Sequence, residues 1–99
     1  MIKIRISNDA LDVLAGGFWF YESQETGLGD YFSSQLKADI EGLRVTAGIH
    51  KLSVSGYHRL LSRKFPYAVY YTLANDEAVV WAVVDCRRNP EWIREHLEP

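Results

Sequence analysis

Residues 57–88 constrain the fold of this chain more than any other segment. Apolar and aromatic side chains fall there into three runs, at residues 60–61, 68–73 and 78–84. Runs of this kind, separated by turn residues, are typical of consecutive β-strands. The last run is apolar at consecutive rather than alternate positions, which predicts a central strand covered on both faces. We therefore expect a mainly antiparallel sheet at the centre of the protein.

Turn residues and a further strand complete this predicted sheet. The sequence KFPY at residues 64–67 predicts the turn before the second of the three strands, with Pro66 near the strand start, where it removes no central ladder bond. Asn75-Asp76 predicts the next hairpin turn. At residues 2–6, isoleucine alternates with a basic residue, and this period of two predicts a half-buried first strand.

Two helical patterns lie between the first strand and residues 57–88. The first follows the good N-cap types at residues 7–9, and it contains Gly16-Gly17, which predicts either a close approach of a second helix or a break. A turn at residues 26–29 separates it from the second, an apolar stripe of about five turns that Gly48 ends. The short turn predicts an antiparallel helical hairpin packed on the sheet. The stripe consists of Leu28, Phe32, Leu36, Ile40, Leu43 and Ala47.

A short last helix is predicted at the end of the chain. Asn89 is a suitable N-cap, and Pro90 suits the first helical position. The predicted order is therefore β-α-α-β-β-β-α, a two-layer α+β domain that spans residues 1–99. The hairpin covers one face of the sheet, and the last helix or a partner chain covers part of the other.

Composition places this domain in a broad class. The 99 residues suit one domain, and no apolar run is long enough to predict a transmembrane helix. The N-terminus is too short and too charged for a signal peptide. Cys86 is the single cysteine, which excludes an intrachain disulfide and agrees with a cytoplasmic location. Residues 1–50 carry four Lys or Arg against seven Asp or Glu, and residues 51–99 carry seven against six.

Five of the eleven Lys and Arg residues lie within residues 57–88, together with His58. If these residues meet at one edge of the sheet, they can bind phosphates, with arginine acting as a fork and lysine as a point charge. Nearby tyrosines could then stack on bases. The alternative is a set of solvated strand charges and core tyrosines, and the sequence alone favours it. The residues concerned are His58, Arg59, Arg63, Lys64, Arg87 and Arg88, with Tyr57, Tyr67, Tyr70 and Tyr71.

The histidines and the cysteine give weaker indications of a catalytic or metal-binding role than the basic residues give of phosphate binding. His58 could act as a general acid or base, although a surface histidine is commoner. Cys86 could be a nucleophile, but at the end of an apolar strand it is better explained as a small buried side chain. His50, His58, His96 and Cys86 do not have the spacing of metal ligands, and no phosphate-binding glycine motif occurs. We therefore expect neither a metal nor another cofactor.

Four segments of the chain form a set of motifs: residues 20–32 (FYESQETGLGDYF), 57–61 (YHRLL), 64–67 (KFPY) and 85–92 (DCRRNPEW). Together they resemble the RelE/ParE toxins, the toxin halves of type II toxin–antitoxin pairs. The resemblance covers nearly the whole chain in the right order, and it implies a small sheet with a helical hairpin against it.

The resemblance implies two alternative activities. RelE-like members are ribosome-dependent messenger-RNA endonucleases, whereas ParE-like members inhibit DNA gyrase and are not enzymes. In the nuclease branch, Arg59, Arg88 and His58 would be the catalytic residues. That branch usually has a lysine-rich segment, where this chain offers only Lys51, and a C-terminal tyrosine or histidine, where this chain has Trp92 and His96 but no tyrosine. These departures, together with the pI of 5.9, favour the gyrase branch.

The resemblance also implies a cognate antitoxin, a small DNA-binding protein that forms a hetero-oligomer with the toxin. We expect its C-terminal segment to lie across the apolar surface of the last strand. Candidate antitoxin contacts are Tyr70, Trp81, Val83 and Trp92. Candidate contacts with the target are Lys51, Arg59, Arg63, Lys64, Arg87 and Arg88.

Overall fold

A computed structural model describes residues 1–53, 55–87, 91 and 94–95 of the chain. The predicted order of one strand, two long helices and three further strands is confirmed, with one additional short helix. The predicted last helix at Asn89 and Pro90 begins outside the described residues, as do Arg88, Trp92 and His96. The elements are β1 (Lys3–Ile6), α1 (Asn8–Gln24), α2 (Leu28–Glu41), α3 (Leu43–Thr46), β2 (His58–Leu61), β3 (Tyr67–Ala74) and β4 (Glu77–Asp85).

The four strands form one sheet in the order β1-β4-β3-β2. The β2–β3 and β3–β4 pairs are antiparallel, whereas β1 runs parallel to β4, because the helical hairpin carries the chain back across the sheet. Asn75 and Asp76 form the β3–β4 turn with φ angles of 52° and 59°, the left-handed conformation that a tight hairpin requires. The predicted turn and the mainly antiparallel sheet are both confirmed.

The two central strands are buried on both faces. Val69 and Tyr71 of β3 pack with the helices, while Ala68 and Tyr70 belong to a second cluster on the opposite face. In β4, which the apolar run predicted to be covered on both faces, Val79 and Val80 are buried, whereas Trp81 is 45% exposed, so the prediction is confirmed for the first part of this strand. The pairing slips by one residue within β4, so that Trp81 is an extra residue at a β-bulge.

The helical hairpin begins with a side-chain cap and contains one close helix–helix contact. The hydroxyl of Ser7 accepts a hydrogen bond from the backbone N–H of Ala10 at 3.1 Å. A Cβ atom at Gly17 would lie 2.5 Å from the ring of Phe32, so this glycine allows α1 and α2 to approach. Of the two alternatives for Gly16-Gly17, the close approach is therefore correct, and α1 is continuous.

The predicted second helix is interrupted at Gly42. α2 ends at Glu41 and a short α3 begins at Leu43, so the prediction of one helix through Ala47 was wrong in detail. Glycine has low helix propensity, which favours the interruption there. The apolar stripe nevertheless continues into the core, since Leu43 is fully buried. Among the described residues, no helix has the length and apolar character needed to span a membrane.

Candidate functional site

Three of the predicted site residues lie together along β2, the edge strand of the sheet. The carbonyl of Lys51 accepts a hydrogen bond from the backbone N–H of Arg59 at 3.2 Å, and Leu52 forms an isolated antiparallel bridge with His58. The connector at residues 47–53 is thereby held against β2. We refer to Lys51, His58 and Arg59 as the β2-edge cluster.

A hydrogen-bonded network of His50, Tyr71 and His58 fixes this connector. The hydroxyl of Tyr71 lies 2.5 Å from Nδ1 of His50, and it also accepts the backbone N–H of Gly48 at 3.0 Å. His58 stacks on the Tyr71 ring, with the ring centroids 5.0 Å apart. Nδ1 of His58 lies 2.9 Å from the carbonyl oxygen of His50. The network thus ties two backbone groups and one side chain of the connector to the sheet.

The surroundings of these groups determine where the hydrogens lie. Burial, with a smaller effect from His58, lowers the pKa of His50, and burial raises the pKa of Tyr71. Both groups are therefore neutral near neutral pH, and the Tyr71 hydroxyl can donate to Nδ1 of the His50 tautomer that carries its hydrogen on Nε2. A carbonyl oxygen can only accept, so Nδ1 of His58 must carry its hydrogen. Nε2 is then the ring atom of His58 at which a proton could be taken up, which a general base requires.

Two predicted basic residues lie at one end of the sheet and are held by carboxylates. Nε of Arg63 lies 3.1 Å from Oδ1 of Asp39, whose side chain is only 3% exposed. Nε of Arg87 lies 3.2 Å from Oδ1 of Asp85, and the hydrogen bond to that carboxylate raises the pKa of Arg87. Each guanidinium is therefore partly neutralised within the protein, which weakens its attraction for a phosphate.

The predicted basic residues thus divide between two places. Lys51, His58 and Arg59 belong to the β2-edge cluster, whereas Lys64 is exposed in the loop after β2, beside Arg63. This loop meets the end of β4, because the backbone N–H of Cys86 donates to the carbonyl of Pro66 at 2.8 Å. Arg88 lies outside the described residues. Sequence reasoning missed the part that His50 and Tyr71 play in positioning the first group.

The predicted antitoxin contacts are not all on the surface. Tyr70 and Val83 are each 1% exposed, so neither side chain lies on the surface in this structure. Both belong to central strands that are covered on either face. Trp81 is 45% exposed, and its indole N–H donates to Oγ1 of Thr72 at 2.9 Å. Trp92 lies outside the described residues.

Cys86 and the possible metal ligands are the remaining reactive groups that the sequence indicated. Cys86 is half-buried and packs against the cluster of Ala68 and Tyr70, which agrees with its interpretation as a small packing residue. In the part of the chain that the structure describes, no three His, Cys, Asp or Glu side chains are grouped to hold a metal ion.

Comparison with known proteins identifies the fold. No protein-family model matches the chain, and no curated protein matches it. Among solved structures, a chain of the chromosomal ParDE TA system from P. aeruginosa is similar with a TM-score of 0.71, at 12% identity, over 86% of this chain and 96% of that one. The isolated E. coli RelE toxin is similar with a TM-score of 0.63, at 15% identity, over 96% of this chain and 95% of that one.

The chain has the RelE/ParE fold. The fold class that the resemblance implied is therefore confirmed. Both similar structures are matched over nearly their full length, so the likeness extends over the hairpin as well as the sheet.

Proposed function

We propose that the chain is the toxin of a type II toxin–antitoxin pair, neutralised by a cognate antitoxin in the cytoplasm. The observation that carries this proposal is the likeness, over nearly the whole of each chain, to a ParDE structure and to the RelE toxin. The motifs at residues 20–32, 57–61 and 64–67 support it, because they occur in the order that the fold requires.

DNA gyrase is the target that we propose for this toxin. A toxin that acts by binding needs no catalytic centre, and it needs less positive charge than a protein that binds ribosomal RNA. The carboxylate contacts of Arg63 and Arg87 reduce the charge available for phosphates. The acidic pI of 5.9 acts in the same direction.

The β2-edge cluster supports a second candidate, ribosome-dependent cleavage of messenger RNA. Lys51 and Arg59 are neighbours across the connector–β2 contact, and the imidazole of His58 lies beside them. Such a group can accept the proton of a ribose hydroxyl while cations stabilise the phosphate. In this alternative, Arg59 and His58 carry the chemistry.

Paired assays on wild type and Arg59→Ala separate the two candidates. The gyrase proposal predicts that the wild type inhibits supercoiling and leaves translated messenger RNA intact in primer extension. Under the nuclease alternative, wild type cleaves the message, and Arg59→Ala is slower by about a hundredfold, because a phosphate contact is lost.

Arg5→Ala is the matched control in these assays. Arg5 lies on β1, at the opposite edge of the sheet, and its side chain is 63% exposed. It should behave as wild type in both assays. Cleavage of ribosome-bound message that disappears only in Arg59→Ala, with gyrase unaffected, would overturn the gyrase proposal.

A further inference from the structure

The connector covers the β2 edge of the sheet but contributes no buried side chain to the core. None of the described residues from Gly48 to Ser53 is buried, and Ile49 and Leu52 are 76% and 57% exposed. A segment that buries so little apolar surface gains little stability from packing, so its hydrogen bonds must hold it in place. We refer to residues 49–53 as the strap.

The strap lies between two glycines that can serve as hinges. Gly48 and Gly56 have φ angles of 97° and 90°, in the left-handed region that glycine adopts readily and other residues rarely do. Rotation at these flanking positions can move the strap without moving its neighbours. β2 would remain in the sheet, because its four residues pair with β3 independently of the strap.

One buried hydroxyl and one histidine hold the first half of the strap. Tyr71 is 0% exposed, and its hydroxyl accepts the backbone N–H of Gly48 at 3.0 Å and contacts Nδ1 of His50. The carbonyl oxygen of His50 lies 2.9 Å from Nδ1 of His58. His50 therefore contributes both a ring nitrogen and a backbone oxygen to the attachment.

The charged surroundings of His50 make the attachment sensitive to protons. The titratable groups that face this residue are Tyr71 of β3 and His58 of β2, and Lys51 is its neighbour on the strap. Residues 42–75, which include the strap, β2 and β3, contain no Asp or Glu that could offset a positive charge. A proton on His50 would therefore be added to a region that already carries positive charge and has no carboxylate of its own.

The attached strap consequently disfavours the protonated ring. Burial, and to a smaller extent His58, lowers the pKa of His50. Protonation would also remove the acceptor at Nδ1 that faces the Tyr71 hydroxyl. Detachment returns the ring to water, where it takes up the proton at its ordinary pKa, so a fall in pH favours the detached strap.

We propose that residues 49–53 form a proton-operated strap, which detaches from β2 as the pH falls while the sheet and the helices stay folded. The backbone N–H of Arg59 donates to the carbonyl of Lys51 only while the strap is attached, so detachment takes the β2-edge cluster apart. The strap thereby regulates a cluster that contains two of the candidate target contacts. This inference goes beyond the proposed function and holds for either of the two targets.

Amide hydrogen exchange, measured by NMR at about pH 7.5 and about pH 5.5, tests the proposal. After correction for intrinsic exchange, the protection of the Gly48 and Arg59 amides should fall by about threefold or more at the lower pH. The amide of Ser7 is the matched control, because it donates to the carbonyl of Val80 at 2.8 Å, far from the strap, and should keep its protection. In His50→Gln, which keeps an acceptor but does not titrate, the fall should be absent.

A second variant tests the attachment at a single pH. Tyr71→Phe removes the hydroxyl that binds the strap, so trypsin should cleave after Lys51 about tenfold faster at about pH 7.5. Tyr67→Phe is the matched control, because Tyr67 is also a buried tyrosine of β3 but its hydroxyl lies near Gly17. Cleavage after Lys37 of α2 reports unfolding of the whole domain, so the tenfold change is expected in the ratio of the two cleavage rates.

The outcomes of these experiments decide the proposal without any partner present. Unchanged protection of Gly48 and Arg59 would overturn it, and so would an equal loss at Ser7, because the strap would then open only with the sheet. A fall that persists in His50→Gln would assign the proton to another group and also contradict it. If Tyr71→Phe does not fold, exchange in wild type and His50→Gln still decides. Failure of the strap would leave the proposed function unaffected, since toxicity and antitoxin binding are measured separately.

Discussion

Protonation of His50 is coupled to the hydrogen bonds that hold the connector against the sheet. Burial lowers the pKa of His50 below its ordinary value of about 6.5, so the folded state favours the neutral ring. The stability that results is fully present above the unfolded pKa, and it is lost as the pH falls through that value toward the folded pKa. A protonated ring would also leave the Tyr71 hydroxyl without its acceptor.

The free energy of unfolding should therefore decrease between about pH 7.5 and about pH 5.5. Urea denaturation of wild type and His50→Gln measures the effect of this one residue. The glutamine oxygen can accept from Tyr71 but does not titrate, so the variant should show a smaller pH dependence. If the two proteins lose equal stability over this range, His50 does not account for the pH dependence.

This network marks the limit of sequence reasoning at the scale of single residues. The sequence predicted a possible general acid or base at His58, which precedes Arg59. It indicated His50 only as a possible metal ligand. Its partner Tyr71 is 21 residues away along the chain, and no local spacing indicates that contact. The tautomer of His58 likewise depends on a carbonyl that only the folded connector brings close.

At the scale of elements, the close contact of α1 and α2 at Gly17 should make the stability of the protein sensitive to this residue. Gly17→Ala would place a methyl group 2.5 Å from the buried Phe32 ring, so it should destabilise the protein by about 1–3 kcal/mol. Gly16→Ala is the matched control, because its methyl group meets nothing within 4 Å. It should stabilise the helix by about 0.5–1 kcal/mol. Urea denaturation of both variants measures the difference, and equal effects would contradict the close helix approach.

The order and type of the elements could be predicted because their apolar periods are clear. The break at Gly42 could not, since this glycine keeps near-helical φ and ψ angles of −59° and −20° and leaves the apolar stripe in phase. The bulge at Trp81 was also missed. An uninterrupted apolar strand has no alternation that a one-residue slip would disturb. The burial of Tyr70 and Val83 has a related origin, because a strand covered on both faces has no outward apolar side.

At the scale of the whole molecule, charge is unevenly distributed between the hairpin and the sheet. The hairpin is acidic with an exposed aromatic stripe, whereas the β2 edge carries Lys51 and Arg59. The sequence revealed this imbalance, but it could not reveal that Arg63 and Arg87 are held by Asp39 and Asp85. The contact of Arg63 with Asp39 joins the loop after β2 to α2, whereas Arg87 and Asp85 are two residues apart at the end of β4.

Growth of cells that express the chain alone, or together with the product of the adjacent reading frame, tests the central proposal most directly. Expression alone should arrest growth, and co-expression should restore it, because the antitoxin sequesters the toxin. A frameshifted copy of the gene controls for the burden of expression, and immunoblotting verifies that the protein is intact. Normal growth at high levels of intact protein would contradict the assignment of this chain as a toxin.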